Sequence, residues 1–138
     1  MTTMKVQIAD AVIVDHGKVL LVKQLKQSAH GLWSFPGGHV ESGETAIDAV
    51  HREVHEELGV TLSRAKLFKI YPLETATGEL ELNTFVCNIE GDIVLKTDEL
   101  MAYGWFSLQQ LDEMRDELRA PVVLQQAREI LIDMPSQE

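Results

Sequence analysis

Glu53, Glu56 and Glu57 stand at i, i+3 and i+4 in the run Thr45 to Leu58, a spacing that gathers three carboxylates on one patch if the run is helical. Like charges that close repel by a few tenths of a kcal/mol per pair unless a cation lies between them. Oxygen donors with no Cys or His among them favour a hard ion, Mg2+ or Mn2+, which binds a few carboxylates and keeps waters for a phosphate. The plain alternative is a solvated acidic helix face, and the neighbouring residues weigh against it. Phe35-Pro36-Gly37-Gly38 precedes the run as a turn whose glycines let backbone approach a ligand and whose carbonyls could complete a metal shell. Arg52 has the paired N–H donors to orient an adjacent carboxylate. Ala49, one turn before Glu53, is expected to leave room for a hydrated ion.

The spacing from Gly38 to Val60 is Gly, five residues, Glu, seven residues, then Arg-Glu-apolar-any-Glu-Glu-any-Gly-apolar. Average composition gives such a match by chance roughly once in a million chains of this length. The stretch resembles the signature box of the MutT/Nudix hydrolase family, with Gly38, Glu44, Arg52, Glu53, Val54, Glu56, Glu57, Gly59 and Val60 at the matching places. The lead-in Trp33-x-Phe35-Pro36-Gly37-Gly38 and the Trp105-Phe106 segment are also similar to the family. The resemblance implies an α/β fold, the Nudix α/β/α sandwich, in which a mixed β-sheet carries helices packed on both sides. It implies that Glu53, Glu56 and Glu57 ligate the metal with a carbonyl of Gly37 or Gly38, while Arg52 orients the cluster and Glu44 supports it. It further implies a substrate made of a nucleoside diphosphate joined to some group X and cleaved by water within the diphosphate; a nucleoside triphosphate would give the monophosphate and pyrophosphate.

The attacking water needs a general base, which in this family is a Glu of the box or an acid from a distant loop. Glu99, six residues before Trp105, sits at a spacing resembling MutT-type enzymes whose loop Glu meets the metal, with Asp98 as the neighbouring alternative. Candidate substrate contacts are Lys23 for phosphate, Trp33 and Phe35 for stacking on a base, the Gly37 and Gly38 backbone, and Arg119. Each has a structural alternative: an exposed strand-end lysine, or aromatics wedging a loop on the core. Family members that read oxidised guanine carry Asn two residues before the proline opening the last helix, and Arg119 stands there. ADP-ribose pyrophosphatases of the family carry a proline farther beyond the box glycine than Pro72. Chain size and the Trp33-x-Phe35-Pro36-Gly37-Gly38 lead-in point to a nucleoside triphosphate as the expected substrate, with ADP-ribose or another nucleoside diphosphate derivative as the alternative. A non-catalytic nucleotide-sensing module is the reading from another class. Isomerisation of an allylic diphosphate would need a Cys in the cleft.

The elements that must position these groups can be read from periodicity. Thr45 to Leu58 lacks Gly and Pro and ends at Gly59; Ile47, Val50, Val54 and Leu58 mark its expected buried stripe. Val6 to Val14 and Val19 to Val22 read as strands joined by a turn at Asp15-His16-Gly17-Lys18, and residues 23 to 34 as a loop. Lys66 to Tyr71, Glu79 to Ile89 and Tyr103 to Phe106 read as further strands. Ser107 with Gln110 forms a capping box over Leu108 to Met114, and Pro121 opens a helix through Val122 to Met134.

The chain has 138 residues, enough for one domain spanning residues 1–138. A net charge of −10 disfavours nucleic-acid polymers and anionic membranes as partners, whereas a free nucleotide can bring its own metal counter-charge. A homodimer is compatible with the family resemblance. Cys87 is the only cysteine, which fits a reducing cytoplasm and reads better as a core residue than as a nucleophile. No run approaches transmembrane length, and Met1 to Asp10 does not resemble a secretory leader.

Overall fold

The computed structural model describes residues 5–133. Its seven-stranded mixed sheet is centred on β1, Val6–Asp15. On one side β1 runs parallel to β6, Gly78–Glu90, from Val6↔Leu80 to Ile13↔Cys87. On the other it pairs antiparallel with β4, Gly37–His39, at Ile8↔His39, Ala9↔Gly38 and Asp10↔Gly37. At its end β1 turns through His16 and Gly17, both at positive φ, into β2, Lys18–Gln24. Two successive positive φ values give the primed turn whose twist matches paired strands. β2 carries β3, Trp33–Ser34, and β7, Leu100–Ser107, while β5, Thr61–Thr75, lies outside β6 at the edge of the sheet.

Alternation along the strands builds two apolar layers. Ala9, Ala11 and Ile13 of β1 pack with Ala49, Val50, Val54 and Leu58 of α1, Ala46–Leu58. Val12 and Val14 face the opposite way, to Leu111 of α2, Leu108–Glu113, and to Val123, Ala127 and Ile130 of α3, Pro121–Asp133. The expected α/β/α sandwich is present, with α1 on one face and α2 and α3 on the other. Val50, Val54 and Leu58 are fully buried, each contributing about 1.5–3 kcal/mol of transfer free energy, so α1 is anchored to the sheet by side chains that alternate with its acids.

Both ends of α1 are fixed locally. The Thr45 hydroxyl accepts from the Asp48 N–H at 3.3 Å, and the Asp48 carboxylate accepts from the Thr45 N–H at 3.1 Å. Gly59 takes the left-handed cap at φ 68° and donates its N–H to the His55 carbonyl. Ser107 and Gln110 form the expected second capping box.

Several expectations need correction. Ile47 is 41% exposed, because the first turn of α1 seats Ala46 and Ala49 on the sheet instead. Ala49 is fully buried, so it packs α1 down and does not line a space for an ion. Residues 23–34 are not wholly loop: β2 runs to Gln24, a single 3-10 turn covers Gln27–Ala29, and β3 takes Trp33–Ser34. Gly37 and Gly38 belong to a strand, not a free turn. β5 outruns Lys66 to Tyr71 at both ends, with register shifts at Leu62/Arg64 and Leu67/Lys69 that break its alternation. Met134, the expected end of α3, lies outside the described residues.

Candidate functional site

The C-terminal half of α1 is laid across the β4 glycines, and this crossing brings the acids to backbone. Glu57 is 6% exposed, and its Oε1 accepts the Gly37 N–H at 2.9 Å. Burial pushes its carboxyl up to about 8; the Glu53 charge adds to the shift, and the Gly37 N–H and Lys26 oppose it. Glu53 is largely covered, and burial raises its carboxyl while Arg52 pulls it down. Its carboxylate rests on the Gly38 Cα: a Cβ there would stand 2.6 Å from Oε1 and 2.9 Å from Oε2. Only glycine at 38 leaves this contact open. Glu56 stays exposed one turn along the helix.

Arg52 ties the cluster to the chain before the helix. Its Nε and Nη2 donate to the two Glu44 oxygens at 3.1 and 2.7 Å, Nη1 to Glu53 Oε1 at 2.8 Å, and Nη2 to the His39 carbonyl at 3.1 Å. These hydrogen bonds from Arg52, with the Glu41 N–H, hold the Glu44 carboxyl well below the usual range, at about 2. Glu56 lies 3.5 Å from the same guanidinium.

Protein donors therefore stand where a cation would act: Arg52 draws Glu53 and Glu56, and Gly37 draws Glu57. Among the described residues no three His, Cys, Asp or Glu side chains already meet at one point. The donor set nonetheless fits a hard divalent ion. It is all oxygen, two of its carboxyls are raised by burial and so gain from a nearby positive charge, and the glycine strand beneath it has no Cβ to block approach.

The Glu99 loop reaches the same place through main-chain bonds. Val94 N–H donates to the Leu58 carbonyl at 2.8 Å and Lys96 N–H to the Glu57 carbonyl at 3.0 Å, capping the open end of α1. The Glu99 carboxylate pairs with Lys96 at 3.3 Å, remains 45% exposed, and its charge raises Glu57. Asp98 is exposed, and its charge acts on Lys96. Leu25 N–H donates to the Glu99 carbonyl at 3.1 Å, which joins this loop to residues 25–32.

The candidate substrate contacts divide. Lys23, on β2, holds its ammonium 5.9 Å from the centre of the Trp33 ring. Trp33 meets Phe106 edge to face at 5.1 Å and packs on the α3-side core, where it also lines the lead-in. Phe35 is 5% exposed inside that core, so its ring has no free face and the stacking role expected for it is withdrawn. Arg119 is exposed, with its N–H on the Trp33 carbonyl at 2.8 Å, beside the lead-in. Cys87 is fully buried and pushed up to about 12 by burial, and Sγ donates to the Phe85 carbonyl, which leaves it inert. His51 and His55 are exposed on α1.

Sequence reading passed over Lys26. It is exposed, opens the 3-10 turn after β2, and its charge acts on both Glu53 and Glu57. A lysine in a polar loop carries no periodic or spacing signal; only the fold shows what it faces. Among the described residues no helix is long and apolar enough to cross a membrane.

The chain is similar to known proteins both in sequence and in overall structure. A Caenorhabditis elegans protein that carries a nudix hydrolase name is 36% identical over 107 residues, which are 76% of this chain and 28% of that protein. The ADP-ribose pyrophosphatase of Methanocaldococcus jannaschii is 30% identical over 107 residues, again 76% of this chain and 63% of that protein. The chain thus spans less than two thirds of either relative's length. A NUDIX hydrolase from Nitrosomonas europaea superposes with a TM-score of 0.79 at 28% identity, covering 88% of this chain and 85% of that one. The sequence pattern of the NUDIX domain matches residues 4–126, and with the box carboxylates seated on the glycine strand this chain belongs to the NUDIX family.

Proposed function

We propose that this protein is a Mg2+-dependent pyrophosphohydrolase of nucleoside diphosphate derivatives, with a nucleoside triphosphate, cleaved to monophosphate and pyrophosphate, as its substrate. The observation that carries the reading is the seating of Glu53 and Glu57 against Gly38 and Gly37 with Arg52 bridging Glu53 to Glu44. Glu53, Glu56 and Glu57 would hold the ion with a carbonyl of Gly37 or Gly38, and Glu99 would join them. Mn2+ has the same oxygen preference and would substitute. When bound, the ion neutralises phosphate oxygens and eases deprotonation of the attacking water. The chain's own work is positioning: Arg52 fixes the Glu53 carboxylate, Glu44 holds Arg52, and the exposed Glu99 carboxylate takes the proton from water. Lys23 would meet a phosphate, and Trp33 and Arg119 would meet the nucleoside beside the lead-in. The single cysteine is consistent with a cytoplasmic setting.

ADP-ribose or another nucleoside diphosphate derivative is the second reading, favoured by the name of the Methanocaldococcus relative. Cleavage of a nucleotide panel with Mg2+, with products identified by mass, separates the two: pyrophosphate with a monophosphate marks the first, and two monophosphates from ADP-ribose mark the second. Glu53→Gln and Glu57→Gln should each lose at least a hundredfold in rate, and full activity in both would remove the assigned site. Tight nucleotide binding with no cleavage in the presence of metal would identify a sensor instead.

A further inference from the structure

We propose that the groove between the end of β1 and β7 binds a short aliphatic diamine, and that the bound cation steadies the loop carrying Glu99. The groove lies where β1 and β2 part: these strands pair only at Val14↔Val19 and Asp15↔Lys18, and β7 lies along β2. Its volume is about 340 Å³, within the range of small-molecule sites, and no residue of α1 lines it. The floor is apolar, since Ile13, Ile93 and Trp105 belong to the α1-side core. Tyr103, two residues from Trp105 and so on the same face of β7, is exposed and forms a wall. Every charged side chain on the lining is acidic: Asp15 and Asp92, with no Lys or Arg beside them. Asp92 makes no ion pair among the described residues, and His16 Nδ1 lies 2.7 Å from Asp15 Oδ1, which leaves Oδ2 as an acceptor. Asn88 Nδ2 donates to the Val14 carbonyl at 3.3 Å, so its Oδ1 is a third acceptor. Two carboxylates and an amide oxygen above aromatic rings and an aliphatic floor suit ammonium groups joined by methylenes. The same charges repel phosphate, so the groove does not compete for a nucleotide. Asp15 ends β1 and Asp92 lies two residues past β6, its parallel neighbour, so both acids stand at one end of the sheet and one short chain can span them.

The walls of the groove are the two feet of one loop. Asp92 and Ile93 open the segment, Tyr103 and Trp105 close it, and Glu99 lies between them. Within the segment Val94 N–H holds the Leu58 carbonyl, Lys96 N–H holds the Glu57 carbonyl, and the Glu99 carbonyl accepts from Leu25 N–H. A cation that joins Asp92 to the Tyr103 and Trp105 rings ties the feet together, and the freedom lost at both feet is lost to the residues between them. Binding in the groove stands apart from the nucleotide reading above; only an effect on turnover would rest on it.

The test uses the full chain in saturating Mg2+, with 1,5-diaminopentane as the probe, followed by calorimetry and by tryptophan emission. The wild type should bind one equivalent saturably with a change in emission, and Trp105→Phe should abolish that change although Trp33 remains. Asp15→Asn, Asp92→Asn and Tyr103→Ala should each weaken binding roughly threefold to fivefold. Asp116→Asn removes the same charge from the turn after α2 and should leave the affinity unchanged. The uncharged 1,5-pentanediol should not compete. Amide hydrogen exchange at Val94 and Lys96 should slow about threefold or more with the diamine bound, in the wild type and not in Asp92→Asn. No saturable binding, wild-type affinity in both Asp15→Asn and Asp92→Asn, or an equal loss in Asp116→Asn overturns the site. Saturable binding with unchanged exchange at those two amides overturns its coupling to the Glu99 loop. Neither readout involves turnover, so a protein that cleaves no nucleotide would leave this inference standing, and a failure to bind the diamine would leave the proposed hydrolysis standing.

Discussion

Replacing Gly38 with alanine should separate catalysis from folding. The added methyl would lie 2.6, 2.7 and 2.9 Å from Glu53 Oε1, Cδ and Oε2 and would meet no backbone atom as closely. Ordinary contact begins near 3.4 Å, so the carboxylate must retreat by about 0.8 Å, and it can, being the far end of a flexible side chain. The fold should lose under about 1 kcal/mol, a fall in Tm of no more than about 4 °C. With Glu53 in the ligand role proposed for it, a displacement of close to an ångström should cost about a hundredfold in kcat/KM, equivalent to about 2.7 kcal/mol of transition-state stabilisation. Gly37→Ala makes the contrast: its Cβ would meet the Ala9 carbonyl at 2.3 Å and the Asp10 Cα at 2.7 Å, both in the main chain of β1. That strand cannot yield, so about 3 kcal/mol of stability and roughly 10 °C of Tm should be lost. Melting curves and initial rates on both variants decide the matter. A Gly38→Ala protein with wild-type kcat/KM would refute the placement of Glu53 in the metal cluster.

Further expectations concern charge. Asp10 is buried on the α3 face, with Oδ2 on Gln126 Nε2 at 2.8 Å and Oδ1 without a hydrogen-bond partner among the described residues, and burial raises its carboxyl from 3.8 to about 6. A raised folded value favours the protonated form, so its contribution is complete below pH 3.8 and is lost as pH climbs through 6, by up to about 3 kcal/mol. In urea titrations at pH 4 and pH 7.5, Asp10→Asn should show a shallower fall in stability than the wild type; parallel curves would contradict this. Millimolar Mg2+ should raise the wild-type Tm by a few degrees over protein in chelator, about 1 kcal/mol of linkage, and should leave Glu57→Gln unmoved. The same variant removes a buried acid and should melt higher than the wild type in chelator, so an equal response of both proteins to Mg2+ would exclude Glu57 as a ligand. Arg52→Lys keeps the charge but cannot span Glu44, Glu53 and the His39 carbonyl together; kcat should fall at least tenfold with the fold intact by circular dichroism, and unchanged kcat would dismiss the bridging role.

The box and its helix were readable because their signals are local. Thr45, Asp48 and Gly59 mark the ends through hydrogen bonds within a turn, and Val50, Val54 and Leu58 repeat at helical spacing. Ile47 satisfied the same spacing but was misplaced, since periodicity cannot tell where a helix overhangs its sheet. β4 was hidden because glycines have low strand propensity, and β1 pairs with them to seat the carboxylates, not for packing. Phe35 was read from its neighbourhood in the chain; its burial depends on Val86 and α3, far away in sequence. Lys26 was illegible for the same reason: its charge acts on Glu53 and Glu57, which the chain reaches only after β3 and β4.

The main-chain bond from Leu25 to Glu99 does not depend on which side chains those residues carry. Residues 25–32 and 96–99 can therefore exchange their side chains during evolution while the rim of the cleft keeps its shape. Descendants of such a chain could change what the rim favours through one or two surface replacements, leaving the box helix untouched.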